Sequence, residues 1–288
     1  MNPVGDLGIT GYVIFWGLTL SAVGIFSFRL YRLFRYLSLG RVEEKYRHLV
    51  RRALTAIGGI IIQKSQFKNL SWRDRAGVGH MFMVWGFLLF VTYYFFFIII
   101  GSGFGISEIM ERSMVYGVYT WVMDIVALFI ILGASWGIVR RYVIRPPRLA
   151  GQQSFEALLI LLTVLIHPIT HLGKIGTQIA AGYPPAGLGM VTPPISTAVS
   201  QLYSAGASLT MWHGIWFWSH WSFVLFVLII IGYTRYRHVV AALLNDFFYP
   251  VSPRGMPGRI VLEDEATFGA ARREPSRTAE ATSDCCRW

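Results

Sequence analysis

The segment W-F-W-S-H-W-S-F-V-L-F-V-L-I-I-I-G-Y-T-R-Y-R-H, ending at His238, constrains this chain more than any other. Its core from Trp221 to Tyr233 is apolar and free of proline, and aromatic and basic residues flank it. In lipid every backbone donor must find its partner within the segment, so the run reads as a transmembrane helix. His220 and His238 bracket it. They stand 18 residues apart, which is about five turns, so an unbroken helix would put both rings on one face about 27 Å apart. His213, seven residues before His220, falls within about 20° of that face.

Imidazoles on one face near opposite sides of a bilayer suit axial ligation of two hemes, because neutral histidine nitrogen is an ordinary axial ligand of iron. A single histidine at a helix end is equally at home at headgroup level. The combination favours ligation, since ionisable groups inside a bilayer are rare and tend to serve function.

Composition supports the membrane reading: 54% of the 288 residues are hydrophobic and 14% charged, so the chain is expected to be an all-α bundle of five transmembrane helices. Its net charge of +11 does not indicate nucleic acid, because the cations are segregated. Of the 26 Lys and Arg, 12 lie between Arg29 and Arg75, four between Arg140 and Arg148, and eight from Arg235 onward. This pattern sets the N-terminus outside and the C-terminus in the cytoplasm, with the basic segments against anionic lipid. No cleavable signal is evident, and Cys285 and Cys286 are adjacent rather than spaced as a cluster or zinc site requires.

The expected membrane domain covers residues 1–249 and a partly disordered cytoplasmic tail covers 250–288. The first span runs from about Leu7 to Leu33. Residues 40–75 read as an amphipathic cytoplasmic helix along the membrane, broken at Gly58 and Gly59, or else as a solvated charge run. The second span, Gly77 to Gly101, carries His80 near its cytoplasmic edge, at the depth of His238. One heme held between His80 and His238 is the geometric expectation.

The third span, Tyr116 to Val139, buries Asp124, which needs a partner such as Lys174 or an outer histidine, or a hydrogen bond within the packed helices. The fourth, Phe155 to about Ile175, holds L-I-H-P-I-T-H, with His167 and His171 one turn apart about Pro168. Either is a candidate partner of His220 on a second heme, and the other could serve a propionate or a quinone. The outer loop 182–197, rich in proline, is expected to lack regular structure.

Five spans with this fifth helix resemble the gamma subunit of respiratory nitrate reductase, a two-heme cytochrome b. The resemblance implies that His220 and His238 are heme ligands, with Thr234-Arg235 matching a Ser-Arg pair before the second and bringing Arg235 to the cofactor. It also matches His80 to a ligand on the second helix. Ten residues on, where that family has its other ligand, this chain has Phe90. A closer likeness is to the membrane domain of heterodisulfide reductase-type iron-sulfur oxidoreductases, including electron-transfer-flavoprotein:menaquinone oxidoreductases. It is carried by A-G-V-G-H-M-F-M-V-W-G-F-L-L-F, W-F-W-S-H, R-Y-R-H-V-V-A-A-L-L-N-D-F-F and L-E-D-E-A-T-F-G.

Those relatives continue into C-x-x-C motifs and this chain does not, which implies a separate cytoplasmic iron-sulfur or electron-transfer flavoprotein partner, or a shortened fusion. The expected role is a heme b subunit, with two hemes and at least one, in a quinone-linked oxidoreductase complex of a bacterial or archaeal cytoplasmic membrane. Menaquinone or ubiquinone would be the substrate, with Asp124, Lys174 and His213 as candidates for its outer pocket. The competing classes are a heme-free anchor and a proton or solute transporter, against which stands the lack of an inverted repeat.

Overall fold

A computed structural model describes residues 1–38, 49–63, 67, 76–145, 147, 151, 154–185, 192–203 and 208–248. The expectations placed on 39–48, 64–66, 68–75, 186–191 and the tail, Cys285 and Cys286 included, lie outside the described residues. The described fold is an all-α membrane bundle, with no strand among the described residues. Its helices are α1 (Gly8–Ser38), α2 (Leu49–Ile62), α3 (Ala76–Tyr93), α4 (Ser107–Glu111), α5 (Met114–Ile138), α6 (Phe155–Ala180), α7 (Pro194–Ser200), α8 (Ser208–Ile231) and α9 (Arg237–Phe247). The five long enough and apolar enough to cross a membrane are α1, α3, α5, α6 and α8, matching the five expected spans.

Local chemistry sets the helix ends. Ser113 and Ser154 cap α5 and α6 by accepting from the Tyr116 and Ala157 amides at 3.2 Å each, and Glu156 follows in the first turn of α6. Beyond Tyr93, α3 continues as a π-helix over Tyr94–Ser102. The Tyr119 hydroxyl donates to the Leu89 carbonyl at 2.5 Å just before that change of register, an insertion of the kind that loosens a helical ladder.

Helix α6 is the hub. It packs against α5, α7 and α8, and its residues from Thr170 to Gln178 are buried all round. Gly173 permits the approach of α8, since a Cβ there would meet the Trp216 ring at 2.5 to 2.7 Å. On the other side of α8, Trp221 stacks on Phe15 of α1 with centroids 5.1 Å apart and donates to Thr19 Oγ1 at 3.2 Å.

Three local expectations are corrected. The fifth span does not run unbroken to His238: α8 ends at Ile231, residues 232–236 turn, and α9 starts at Arg237. Gly232 lies where a Cβ would crowd Arg29, and the Thr234 hydroxyl takes up the Ile230 carbonyl at 2.8 Å. Gly58 and Gly59 do not break α2, which continues to Ile62; a Cβ on Gly59 would sit 3.1 Å from an Asp246 carboxylate oxygen of α9, so this glycine serves a close approach. Finally, the end of the expected outer loop, 194–197, opens a helix, Pro194–Ser200, because Pro194 suits the first helical position and Asp124 binds the Ile195 and Ser196 amides there.

Candidate functional site

Two groups of histidines occupy two depths of the bundle. At the basic end, α3 presents His80 and the first turn of α9 presents His238, their ring centroids 6.4 Å apart at 42°. His238 Nδ1 meets the Arg235 carbonyl at 2.7 Å, which fixes the ring and leaves the other nitrogen for a ligand. His80 is half-buried and its Nδ1 has no hydrogen-bond partner. Arg235 binds Glu156 of α6 twice, by its amide at 2.6 Å and by Nε at 3.3 Å, and so ties the turn carrying His238 to the bundle. Tyr236 adds a second tie: its hydroxyl bonds Thr163 at 2.8 Å and the Ile160 carbonyl at 3.2 Å. Burial pushes its phenol above the ordinary range, opposed by the Thr163 hydrogen bond.

Deeper toward the other end, α6 and α8 bring His167, His171 and His220 together. The His171 and His220 centroids are 5.7 Å apart, those of His167 and His220 5.2 Å. Thr170 Oγ1 holds His220 Nδ1 at 2.7 Å, while His220 Nε2 is buried without a partner. His167 Nε2 is hydrogen-bonded to the Tyr94 hydroxyl; His171 Nδ1 has no partner. The Phe90 ring meets both, with centroids 4.6 Å from His167 and 5.2 Å from His171. The position at which the cytochrome b pattern departs therefore faces the fourth-helix histidines.

His213 lies a further turn or two along α8, its Nδ1 3.2 Å from the Lys174 carbonyl and 3.3 Å from Thr177 Oγ1, its Nε2 buried without a partner. Lys174 is 4% exposed and donates to the Tyr93 hydroxyl at 2.8 Å. It does not pair with Asp124. That carboxylate instead accepts from the Ile195 amide at 2.6 Å, the Ser196 amide at 2.9 Å and the Ser196 hydroxyl at 2.5 Å. It anchors α7, so the packing alternative describes its observed surroundings.

The fit to a porphyrin iron rests on these free nitrogens. Two imidazoles sharing one metal through bonds of about 2.0–2.1 Å hold their centroids roughly 6 to 6.5 Å apart. His80 and His238 stand at that separation, and His171 with His220 comes nearer to it than His167 with His220. Among the described residues no three His, Cys, Asp or Glu side chains gather as a metal site of their own; iron in a porphyrin asks only two axial ligands of the protein.

Tyr93, Tyr94 and Thr170 belong to the outer group and were not singled out from the sequence. Tyr93 and Tyr94 follow Phe90 at the third and fourth positions, on its own face, and Thr170 sits directly before His171; those spacings were the available signal.

No family model matches the chain, and no solved structure matches it. Among curated proteins it is similar to the probable iron-sulfur-binding oxidoreductase FadF of Bacillus subtilis (strain 168), 25% identical over 278 residues that cover 94% of this chain and 38% of that protein. It is also similar to the EtfAB:quinone oxidoreductase of Syntrophomonas wolfei, 24% identical over 223 residues that cover 69% of this chain and 28% of the relative. The chain thus spans well under half the length of either. Both are oxidoreductases by name, and at this low identity the likeness supports an oxidoreductase-related membrane protein.

Proposed function

We propose that this chain is a heme b subunit that passes electrons between a cytoplasmic iron-sulfur or electron-transfer flavoprotein partner and the quinone pool. The observation that carries the reading is the separation of His80 and His238, with a carbonyl fixing one ring and a bare nitrogen on the other. The relatives' names, one iron-sulfur-binding and one quinone-linked, support the partner class and the substrate class.

His80 and His238 would hold one heme at the basic end, and His220 with His171 a second. His171 is preferred over His167 because the Tyr94 hydroxyl already engages His167 Nε2. The bound porphyrin supplies one-electron chemistry. The Arg235 carbonyl would orient His238 and the Thr170 hydroxyl His220 as ligands, and the buried stretch of α6 keeps water from the outer histidines. Lys174 and His213 remain candidates for an anionic or carbonyl oxygen of a quinone or a propionate. Asp124, with three donors already bound, has less to offer there.

The test is the visible spectrum of protein purified from membranes. We expect b-type bands in the reduced minus oxidised difference and partial reduction by a menaquinol or ubiquinol alone. A flat difference spectrum would leave the heme-free anchor as the reading.

A further inference from the structure

We propose that α2 is a half-embedded lipid anchor: one face lies among the acyl chains of the leaflet at the basic end, and its last turn reaches deeper than His80. The proposal does not depend on heme.

The sequence of α2 sorts its residues onto two faces. On a helix, Val50, Leu54, Ile57 and Ile61 fall within about 60° of one another. They are 74%, 66%, 51% and 56% exposed, and together form an apolar stripe. Arg52, Ala56 and Gly59 point the opposite way, against α9. There Ala56 is buried, Arg52 Nη1 donates to the Phe247 carbonyl at 3.3 Å, and Gly59 admits the Asp246 carboxylate. The bundle therefore takes the small and basic face of α2, and among the described residues the stripe is left uncovered.

Trp85 sets the depth. It lies seven residues into the span that begins at Val78, about 10 Å along it, and five residues or about 7.5 Å beyond His80. Its indole N–H donates to the Ile61 carbonyl at 2.8 Å. The last four carbonyls of a helix have no partner within it. Water would satisfy them freely, whereas in hydrocarbon each must find a donor from the protein. An indole N–H spent on the end of α2 is what lipid requires there.

The surroundings agree. The exposed rings of Phe67 and Phe82 flank Trp85, with centroids 6.5 and 6.1 Å away, and Phe82 belongs to the surface of the second span. The stripe thus runs on into a surface that lipid already covers, where a water-soluble partner has no access. At the other end of α2, Arg51 is exposed, placed to meet headgroup phosphates while the apolar residues sit lower.

The experiment uses the full chain in vesicles of phosphatidylcholine and phosphatidylglycerol. In a background of Cys285→Ser and Cys286→Ser, nitroxide labels are attached one at a time to Val50→Cys, Leu54→Cys, Ile57→Cys and Ile61→Cys. Collisions with oxygen, which concentrates in acyl chains, should rise from the first position to the last, and collisions with a water-soluble nickel chelate should fall. A phospholipid carrying a carbene precursor on its acyl chain should also label segment 57–62 of the wild type, a measurement that needs no variant. Frequent nickel collisions at all four positions, the mark of a solvated helix, overturn the proposal. So do positions shielded from both reagents, the mark of a covering protein, and a wild type whose segment 57–62 takes up no acyl-chain label.

Discussion

The rings of His80 and His238 stand 6.4 Å apart, centroid to centroid, although they come from the second membrane span and from a separate helix beyond the fifth. Nothing in the packing of apolar side chains requires two imidazoles to meet there. His80 Nδ1 is buried without a hydrogen-bond partner, and His238 Nδ1 is pinned by the Arg235 carbonyl.

On the proposed reading, His80→Ala and His238→Ala should each remove a heme at the basic end and leave an outer one. Pyridine hemochrome per chain should fall to about half of the wild-type value in either variant, because one axial imidazole is insufficient to hold a low-spin b heme. Unchanged heme in both would mean the rings pack without iron.

At the outer group the two fourth-helix histidines should differ. His220→Ala and His171→Ala are expected to lose the outer heme, whereas His167→Ala keeps it and disturbs only the contact with Tyr94. Thr170→Val, which frees His220 Nδ1, should weaken outer heme binding by roughly 10- to 100-fold, the usual effect of removing such an orienting partner. Heme titration of the separate variants reads each outcome, and loss in His167→Ala with retention in His171→Ala would exchange their roles.

Asp124→Ala should destabilise the protein by about 2–5 kcal/mol, since it strips three hydrogen bonds from a buried site and leaves the amides that open α7 unpaired. Thermal unfolding in detergent measures this. A proton-relay role for Asp124 predicts a different result, in which Asp124→Asn keeps the stability and stops quinol-driven reduction.

Gly173→Ala tests the hub. The added methyl would meet the Trp216 ring at 2.5 to 2.7 Å, so α6 and α8 must separate, at a cost of about 1–3 kcal/mol. The same shift would move Thr170 from His220. Lower thermal stability together with weaker outer heme binding is expected, and wild-type values of both would show that the helices have slack at this crossing.

The five spans were legible because apolar runs of this length have few alternatives in lipid. Depth along the spans pairs His80 with His238, and the two rings do lie close, yet the helical arithmetic for His220 and His238 takes an unbroken fifth helix. The letters G-Y-T-R around Gly232 carry no proline to announce the break, which depends on Arg29 across α1 and on Glu156 from α6. The same limit applies to Gly59 and Asp124, whose partners Asp246 and Ser196 are remote in sequence. Periodicity gives a face, and only tertiary contact tells what meets it. The π-helix after Tyr93 was invisible for a related reason: its register change sits beside a hydroxyl from another span.

The most direct measurement is the heme content of the purified wild-type chain, by pyridine hemochrome against protein concentration, together with its reduced minus oxidised spectrum. Two b-type hemes per chain are expected, and no fewer than one if only the His80 and His238 site is filled. A preparation made with ample heme supply that folds, yet carries no porphyrin and shows no b-type bands, would contradict it.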